Sequence, residues 1–279
     1  MPSNIGTTQI ATRCVTDMST VTKASQGAKL TVHWLNESRG QRIVWLLEEL
    51  NLDYDIKVYF RQKDKHSPPD LKQVHPLGKS PLMSIEAPSL EKPLVLAESA
   101  AIVEYVSDHF GQQLIPKRYA EGNDGLIGAE TKEWLRFRFL MHYAEGSLMS
   151  VLFTGLLTHN IREAPVPFFL KFITKKIADM IDKNFTLAEL KLNLSYLEAL
   201  LAECPDDEFL CGAKLTGADF MMIFVLEAAV LFKTLNDTSY PRLYSYVRRM
   251  QSREAYRRAG DKVSEASGVK YVPFSETKL

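Results

Sequence analysis

Cysteine is scarce in this sequence, which has only Cys14, Cys204 and Cys211 among its 279 residues. Their spacing is uneven and contains no CxxC pair, so it does not suggest a disulfide framework. His142 and Cys211 have no partners at the spacing that metal ligands need, so we expect no metal site. A reducing compartment fits this cysteine usage best.

An excess of charge of one sign is also missing, because 34 lysines and arginines balance 34 aspartates and glutamates. The composition therefore gives no reason to expect a nucleic-acid partner or strong attraction to an anionic membrane. The longest apolar run, from Phe220 to Phe232, contains Glu227 and falls short of the roughly 20 residues that cross a bilayer. It predicts a buried core helix, and we expect no transmembrane segment.

Residues 1–28 are rich in Ser and Thr, poor in acidic residues, and lack the continuous apolar stretch of a secretory signal. We expect a disordered N-terminal extension on a cytoplasmic protein. A mitochondrial targeting sequence and a start at Met18 are the alternatives for the extension. Peripheral association with an internal membrane is the alternative for the location.

Residues 29–112 carry the patterns of strand, helix, strand and then strand, strand, helix. A helix between the first two strands makes them parallel, whereas the short, proline-containing link between the last two makes an antiparallel hairpin. This βαβ-ββα order predicts a thioredoxin-like α/β domain. The predicted strands are Leu30–Trp34, Tyr54–Phe60, Leu82–Ile85 and Leu94–Ala97, and the predicted helices are Arg39–Leu50 and Glu98–Phe110.

The composition changes after this domain. Residues 113–128 are rich in Gly, Asn, Pro and charges, as a linker is. Residues 129–260 carry only helical patterns and predict an all-α helical bundle domain, and residues 261–279 read as a polar tail. The predicted helices are Ala129–Phe153, Phe168–Lys183, Leu187–Ala202, Ala218–Leu235 and Tyr240–Ala259.

Four segments occur in a distinctive order: VHWLNESRGQRIVWLLEELNLDY, HPLGKSPLM, LAESAAIVEYV and LTGADFMM. In this order and spacing the sequence resembles the glutathione transferase family, particularly its fungal Gtt-type members, from about Lys29 to Ala259. The resemblance implies the glutathione transferase fold, no cofactor beyond glutathione as co-substrate, and a homodimer. It also implies conjugation of the glutathione thiol to small hydrophobic electrophiles in detoxification and oxidative stress, with hydroperoxide reduction as a further activity.

The resemblance assigns the HPLGKSPLM segment to glutathione binding. It implies that Pro81 is cis and that the backbone of Ser80 pairs with the cysteinyl backbone of glutathione. Without the family, a trans loop proline would be the simpler interpretation. Lys79 is expected near the glycine carboxylate of glutathione, or else as a solvated surface lysine, and His66 in the upstream loop is a second candidate for that carboxylate.

The LAESAA segment is expected at the start of a helix, where free N–H groups favour a bound carboxylate. The resemblance assigns Glu98 to the ammonium and Ser99 to the carboxylate at the γ-glutamyl end of glutathione. Ordinary N-capping by Ser99, with Glu98 solvated, is the alternative.

The resemblance points to the NESRG loop as the catalytic position. Ser38 is the first candidate to stabilise the glutathione thiolate, and Asn36 is the second. Arg39 could add positive potential or pair with a carboxylate, and Ser38 could simply cap the following helix. The loop contains neither tyrosine nor cysteine, which argues against the transferase classes that use those residues.

The helical half supplies two further expectations. Thr216 and Asp219 have the spacing of a capping box, so we assign LTGADFMM to folding rather than to catalysis. Tyr143 and Leu148 are candidates for the electrophile pocket, because Gly146 interrupts the helical pattern between them. A non-catalytic binding or regulatory protein on the same fold is the alternative function.

Overall fold

The computed structural model describes residues 26–204 and 208–277. Nearly all of the predicted N-terminal extension and Cys14 lie outside these residues. Within them, no helix is long and apolar enough to cross a membrane.

The first half contains a four-stranded sheet in the order β2-β1-β3-β4. β1 is parallel to β2 and antiparallel to β3, and β3 is antiparallel to β4, as the sequence predicts. Alternating residues such as Leu30 and Val32 are fully buried against the helices. The strands are β1 (Lys29–Leu35), β2 (Tyr54–Tyr59), β3 (Leu82–Glu86) and β4 (Leu94–Ala97), and the helices are α1 (Gly40–Glu49), α2 (Asp70–Val74) and α3 (Ser99–Phe110). The thioredoxin-like half is therefore confirmed.

In the described residues of the second half, helices are the only regular elements apart from isolated β-bridges, which confirms the predicted all-α domain. Its first helices run past their predicted ends because π-helical turns at Ala144–Met149 and Asp182–Thr186 continue them without a break. The helices are α4 (Lys132–Tyr143), α5 (Ser150–Arg162), α6 (Lys171–Ile181), α7 (Leu187–Ala202), α8 (Gly217–Leu231), α9 (Pro241–Ser252) and α10 (Glu254–Ser267).

The capping box at the start of α8 is confirmed. The backbone N–H and the hydroxyl of Thr216 both donate to Oδ2 of Asp219, at 2.8 and 2.9 Å. Its other oxygen accepts from Leu210 N and from the Tyr246 hydroxyl. Asp219 is thus fully buried in a structural network, where its burial raises its pKa.

The two halves share one core across α1. Trp45 of α1 is fully buried, and its ring lies 4.3 Å from that of Phe220 in α8 and 5.6 Å from that of Tyr256 in α10. Arg253, between α9 and α10, forms an ion pair with Glu49 at the end of α1. The helical domain is therefore fixed against the helix that begins next to the NESRG loop.

The C-terminal region differs from the prediction. Arg253 adopts an extended conformation that splits the predicted Tyr240–Ala259 helix, and α10 continues to Ser267 where the sequence suggests a tail from Gly260. Gly260 does not end the helix; it makes room for a ring, since a Cβ there would lie 2.8 Å from Cδ1 of Tyr271. Residues 268–277, the C-terminal segment, then pack back onto the helical domain.

Candidate functional site

The hydroxyl of Ser38 is at the centre of the loop between β1 and α1. It donates to the Leu35 carbonyl at 2.6 Å and accepts from Gly40 N–H at 3.1 Å. Its oxygen also lies 3.2 Å from the Ser80 hydroxyl oxygen. Ser38 therefore satisfies an N–H at the start of α1, and it can donate to a thiolate only by giving up its bond to Leu35.

Gly40 lies where these groups converge. A Cβ on Gly40 would lie 3.1 Å from Trp34 Cδ1, 3.2 Å from Ser38 Oγ and 3.3 Å from Ser80 Oγ. The absence of a side chain therefore lets the first turn of α1 approach the hydroxyls of Ser38 and Ser80 closely.

Asn36 supports the shape of the loop. Its side-chain oxygen accepts from Arg61 N at 2.7 Å, and its carbonyl accepts from Arg61 Nε at 3.2 Å. Arg61 also donates to the Glu37 carbonyl. The side-chain oxygen of Asn36 is therefore occupied by a hydrogen bond that holds the loop against Arg61, just after β2.

Arg39 pairs with a carboxylate, which is the second of the two roles considered for it. Its Nε lies 2.9 Å from Oε1 of Glu145 in the first π-helical turn, and Arg42 binds the same oxygen from the fully buried interior of α1. Burial would raise the pKa of Glu145, but the two guanidiniums outweigh it and lower that pKa. Burial lowers the pKa of Arg42 to about 10.

The Ser80–Pro81 peptide bond is cis, as the resemblance implies. The Ser80 hydroxyl donates to the His33 carbonyl at 3.2 Å. Ser67 donates to the Gly78 carbonyl at 2.6 Å, which holds the loop containing His66 beside the segment containing Lys79. The side chains of Lys79 and His66 are both exposed, and His66 lies 3.3 Å from Asp64.

Glu98 and Ser99 occupy the junction of β4 and α3. Glu98 has a φ of 72°, a region that non-glycine residues rarely adopt and that often marks a functional position. Ser99 is buried, and its hydroxyl has no hydrogen-bond partner among the described residues. The N-capping alternative for Ser99 is absent, because no side chain caps α3. A free buried hydroxyl and free helix N–H groups suit an incoming carboxylate.

A cavity of about 320 Å³ opens beside Ser38. Its lining includes Trp34, Asn36 and Gln41 from β1 to α1, Phe224 of α8, and the C-terminal segment. The segment is attached through Phe274, whose ring stacks on Phe224 at 4.6 Å between centroids.

Tyr143 and Leu148 do not line this cavity. Tyr143 donates to the Asn193 side chain and lies in a groove between α4 and α7, and Leu148 is fully buried in the core. Glu145, rather than either of them, projects from the π-helical turn towards the NESRG loop. The structure therefore does not bring these two residues to the cavity beside Ser38.

Sequence reasoning missed several residues of this site. Arg42 and Gln41 lie within the helical pattern of α1 and gave no separate signal, and Phe224 lies in an almost wholly apolar helix. The apolar residues of GVKYVPF, inside the predicted polar tail, were a signal that the C-terminal segment packs on the protein.

Comparison with known proteins gives one consistent family. A model of the glutathione S-transferase N-terminal domain matches residues 38–109, and one of the C-terminal domain matches residues 159–256. Glutathione S-transferase 1 of Saccharomyces cerevisiae is 30% identical over 233 residues, covering 84% of this chain and 94% of that protein. Glutathione S-transferase 3 of Schizosaccharomyces pombe is 30% identical over 237 residues, covering 85% and 88%. A solved glutathione S-transferase from Actinobacillus pleuropneumoniae has a TM-score of 0.62 and 26% identity, covering 89% of this chain and 97% of that one.

Proposed function

The chain belongs to the glutathione S-transferase family, and from this premise we propose how its residues bind and activate glutathione. It is a glutathione transferase, an enzyme with a thioredoxin-like and a helical domain. The observation that carries the residue assignment is the free, buried hydroxyl of Ser99 at the uncapped start of α3. Such a group is costly to bury unless a ligand satisfies it.

Glutathione lies along the edge of the first domain in this proposal. Its γ-glutamyl carboxylate accepts from Ser99 and the N–H groups of α3, and its ammonium is bound by Glu98. Its cysteinyl backbone pairs with the backbone of Ser80, and Lys79, with His66 nearby, faces its glycine carboxylate. Glutathione is the co-substrate, and the proposal includes no other cofactor.

The sulfur then lies next to the NESRG loop. A free thiol has a pKa of about 8.5, so lowering that pKa by two units takes about 2.7 kcal/mol of preferential interaction with the thiolate. Ser38 exchanges its bond to Leu35 for a stronger one to the anion, and the start of α1 adds its positive end. Because Glu145 neutralises part of the charge of Arg39, Ser38 and the α1 start supply most of the effect.

Titration calorimetry with reduced glutathione tests the binding step, and ultraviolet titration of the bound thiol tests its ionisation. We expect one site per chain and a bound-thiol pKa below its free value. Conjugation and hydroperoxide reduction, measured side by side on the same sample, separate the two reactions of the thiolate. A folded sample that takes up no glutathione would refute the proposal.

We extend the proposal to a homodimer. Leu135, Phe139, Phe153 and Leu157 project from α4 and α5 with 44 to 63% of their surfaces exposed, and monomers seldom expose such patches. Light scattering is expected to give twice the chain mass of 31.6 kDa. A mass of one chain at micromolar concentration would contradict this part of the proposal.

A further inference from the structure

One carboxylate of the helical domain reaches the start of α1. Glu145 lies in the π-helical turn Ala144–Met149, between α4 and α5, and such turns within helices often occur at functional sites. Its Oε1 accepts from Arg39 Nε at 2.9 Å and from Arg42 Nη1, and its Oε2 accepts from Arg39 Nε at 3.0 Å. In the part of the chain that the structure describes, no other carboxylate bonds either guanidinium.

The two arginines lie where a helix usually carries negative charge. Arg39 directly precedes α1 and Arg42 is in its first turn, and that turn contains no acidic residue. The positive end of the helix dipole and both guanidiniums therefore add their potentials at the same place. The side chain of Arg42 is fully buried, so water screens its charge little. Glu145 thus supplies, from the other domain, the negative charge that the start of α1 lacks.

These three side chains, the Glu145 cluster, lie close to the position proposed for the glutathione sulfur. Arg39 follows Ser38 directly in the chain. The guanidinium carbons of Arg39 and Arg42 lie 5.8 and 5.2 Å from the centre of the Phe224 ring, and Phe224 lines the same cavity as Ser38. The cluster therefore contacts a ring of the cavity wall, and its electrostatic field extends to a thiolate held at Ser38.

The other charged groups near the Glu145 cluster have partners of their own. The charge of Glu227 in α8 acts on Arg42, but its carboxylate accepts from one side chain of α9 and one of α10. Arg61, next to Glu37, donates to three backbone carbonyls around the NESRG loop. Burial would raise the pKa of Glu145, but the two guanidiniums lower it, so this carboxylate is ionised wherever a thiol titrates.

Resting on the proposed function, we propose that Glu145 is a positioning residue of the thiol site: it fixes the two arginines at the start of α1 and limits the positive charge that acts on the glutathione sulfur. A thiolate becomes a weaker nucleophile as the pKa of its thiol falls, and the best attacking thiol has a pKa near the ambient pH. Without this carboxylate, the helix start and two guanidiniums would stabilise the anion too strongly. Glu145 therefore balances the ionisation of the thiol against the reactivity of the thiolate.

Glu145→Gln tests this role, because it removes the charge and keeps an oxygen that can accept from Arg39. Ultraviolet titration of bound glutathione is expected to give a thiol pKa roughly half a unit to one unit lower than in the wild type, as follows for one unit charge about 10 Å from the sulfur. The electrophile is chlorodinitrobenzene, at saturating glutathione. Its kcat/KM should rise about two- to threefold well below the thiol pKa and fall by a similar factor well above it. A merely structural lesion would lower this rate at every pH.

Arg39→Gln supplies the opposite change. It leaves Glu145 bonded to Arg42 alone, so the thiol pKa is expected to rise by a similar amount. The double variant Glu145→Gln with Arg39→Gln has the same net charge in the cluster as the wild type. Its thiol pKa should therefore return close to the wild-type value.

The matched control is Glu203→Gln. Glu203 also accepts from two cations, Lys132 at 2.9 Å and Arg136 at 2.7 Å, but these lie near the start of α4, away from the π-helical turn. This variant should keep the wild-type thiol pKa.

The outcomes separate the two proposals. An unchanged or raised thiol pKa in Glu145→Gln, or shifts in the same direction for both single variants, would overturn the role of Glu145, and the proposed function would survive. Should Glu145→Gln not fold, an unchanged thiol pKa in Arg39→Gln would overturn the role in the same way. A folded wild-type protein that binds no glutathione would instead overturn the proposed function.

Discussion

The hydroxyl oxygens of Ser38 and Ser80 lie 3.2 Å apart, although 42 positions separate the two residues in the chain. One residue precedes α1 and the other precedes the cis proline, so this contact joins the loop that we propose activates the thiol to the segment that we propose binds the tripeptide. The effects of substitutions at the two serines can therefore be distinguished by measuring two quantities separately: the pKa of the bound thiol and the affinity for glutathione.

Ser38→Ala is expected to lower turnover at neutral pH about tenfold or more and to raise the pKa of the bound thiol. The reason is that a hydrogen bond to a charged group contributes about 1.5–3 kcal/mol. Glutathione affinity should remain nearly unchanged, because the backbone of Ser80 and the start of α3 are intact. Ultraviolet titration and calorimetry give the two quantities, with the exposed Ser89→Ala as control. Unchanged turnover would move the role to Asn36 or to a backbone N–H.

Ser99→Ala is expected to weaken glutathione binding about tenfold without destabilising the fold. Removal of a buried, unpaired hydroxyl relieves a desolvation cost of about 1–3 kcal/mol, so the melting temperature should stay the same or rise. Ser107, on the same helix, is also buried without a partner among the described residues, so Ser107→Ala is a matched control. Equal glutathione affinities for the two variants would refute the role of Ser99.

Acid is expected to destabilise the protein through His33 of β1. Its ring nitrogens bond the Tyr59 hydroxyl at 3.0 Å and the Ser84 hydroxyl at 2.8 Å, and burial, assisted by the charge of Lys57, lowers its pKa from 6.5 to about 4. A lowered folded-state pKa gives stability that is fully present above pH 6.5 and is lost as the pH falls towards 4. The loss attributable to this group is ~3 kcal/mol.

Denaturant melts of the wild type and His33→Gln between pH 7 and 4 measure this effect. The variant is expected to be less stable at pH 7 but to lose less stability on acidification. The exposed His142→Gln should retain the wild-type slope. Parallel slopes for His33→Gln and the wild type would show that His33 does not carry the pH dependence.

Gly260→Ala is expected to disturb the C-terminal segment rather than α10. Alanine is the better helix former by roughly 1 kcal/mol, yet its Cβ would lie 2.8 Å from the Tyr271 ring. We expect this variant to show at least a twofold higher KM for a hydrophobic electrophile with no gain in stability. Gly155→Ala in α5, where the nearest atom is 3.5 Å away, should gain stability and keep its KM. The same KM and the same gain in stability for both variants would refute the clash.

Local patterns were sufficient to predict most of the fold. The alternation in β1 and the short link between β3 and β4 specify the sheet, and the Thr216–Asp219 spacing identifies the capping box. The pairing of Arg42 with Glu145 could not be predicted in this way, because the two residues are 103 positions apart and only tertiary packing brings them together.

The incorrect predictions for the C-terminal helix and tail have a different physical cause. Apolar residues continue at helical spacing beyond Gly260, at Val263 and Ala266, but glycine commonly marks a helix end, and the prediction of a tail followed the glycine. What stabilises α10 is contact with α1, through residues such as Tyr256 beside Trp45. Likewise, Tyr143 and Leu148 were correctly placed on a helix, but the direction of each side chain depends on the π-helical turn, which leaves no clear mark in the sequence.

The burial of Trp45 between Phe220 and Tyr256 makes this indole an optical reporter of whether the two halves are docked. In a variant carrying Trp34→Phe and Trp134→Phe, Trp45 is the one remaining indole, and separation of the halves would bring water to this buried ring and shift its emission to longer wavelength. If that shift coincides with the loss of helical ellipticity in urea, the polypeptide melts as one cooperative unit, and neither half severed at the linker would keep its native form alone.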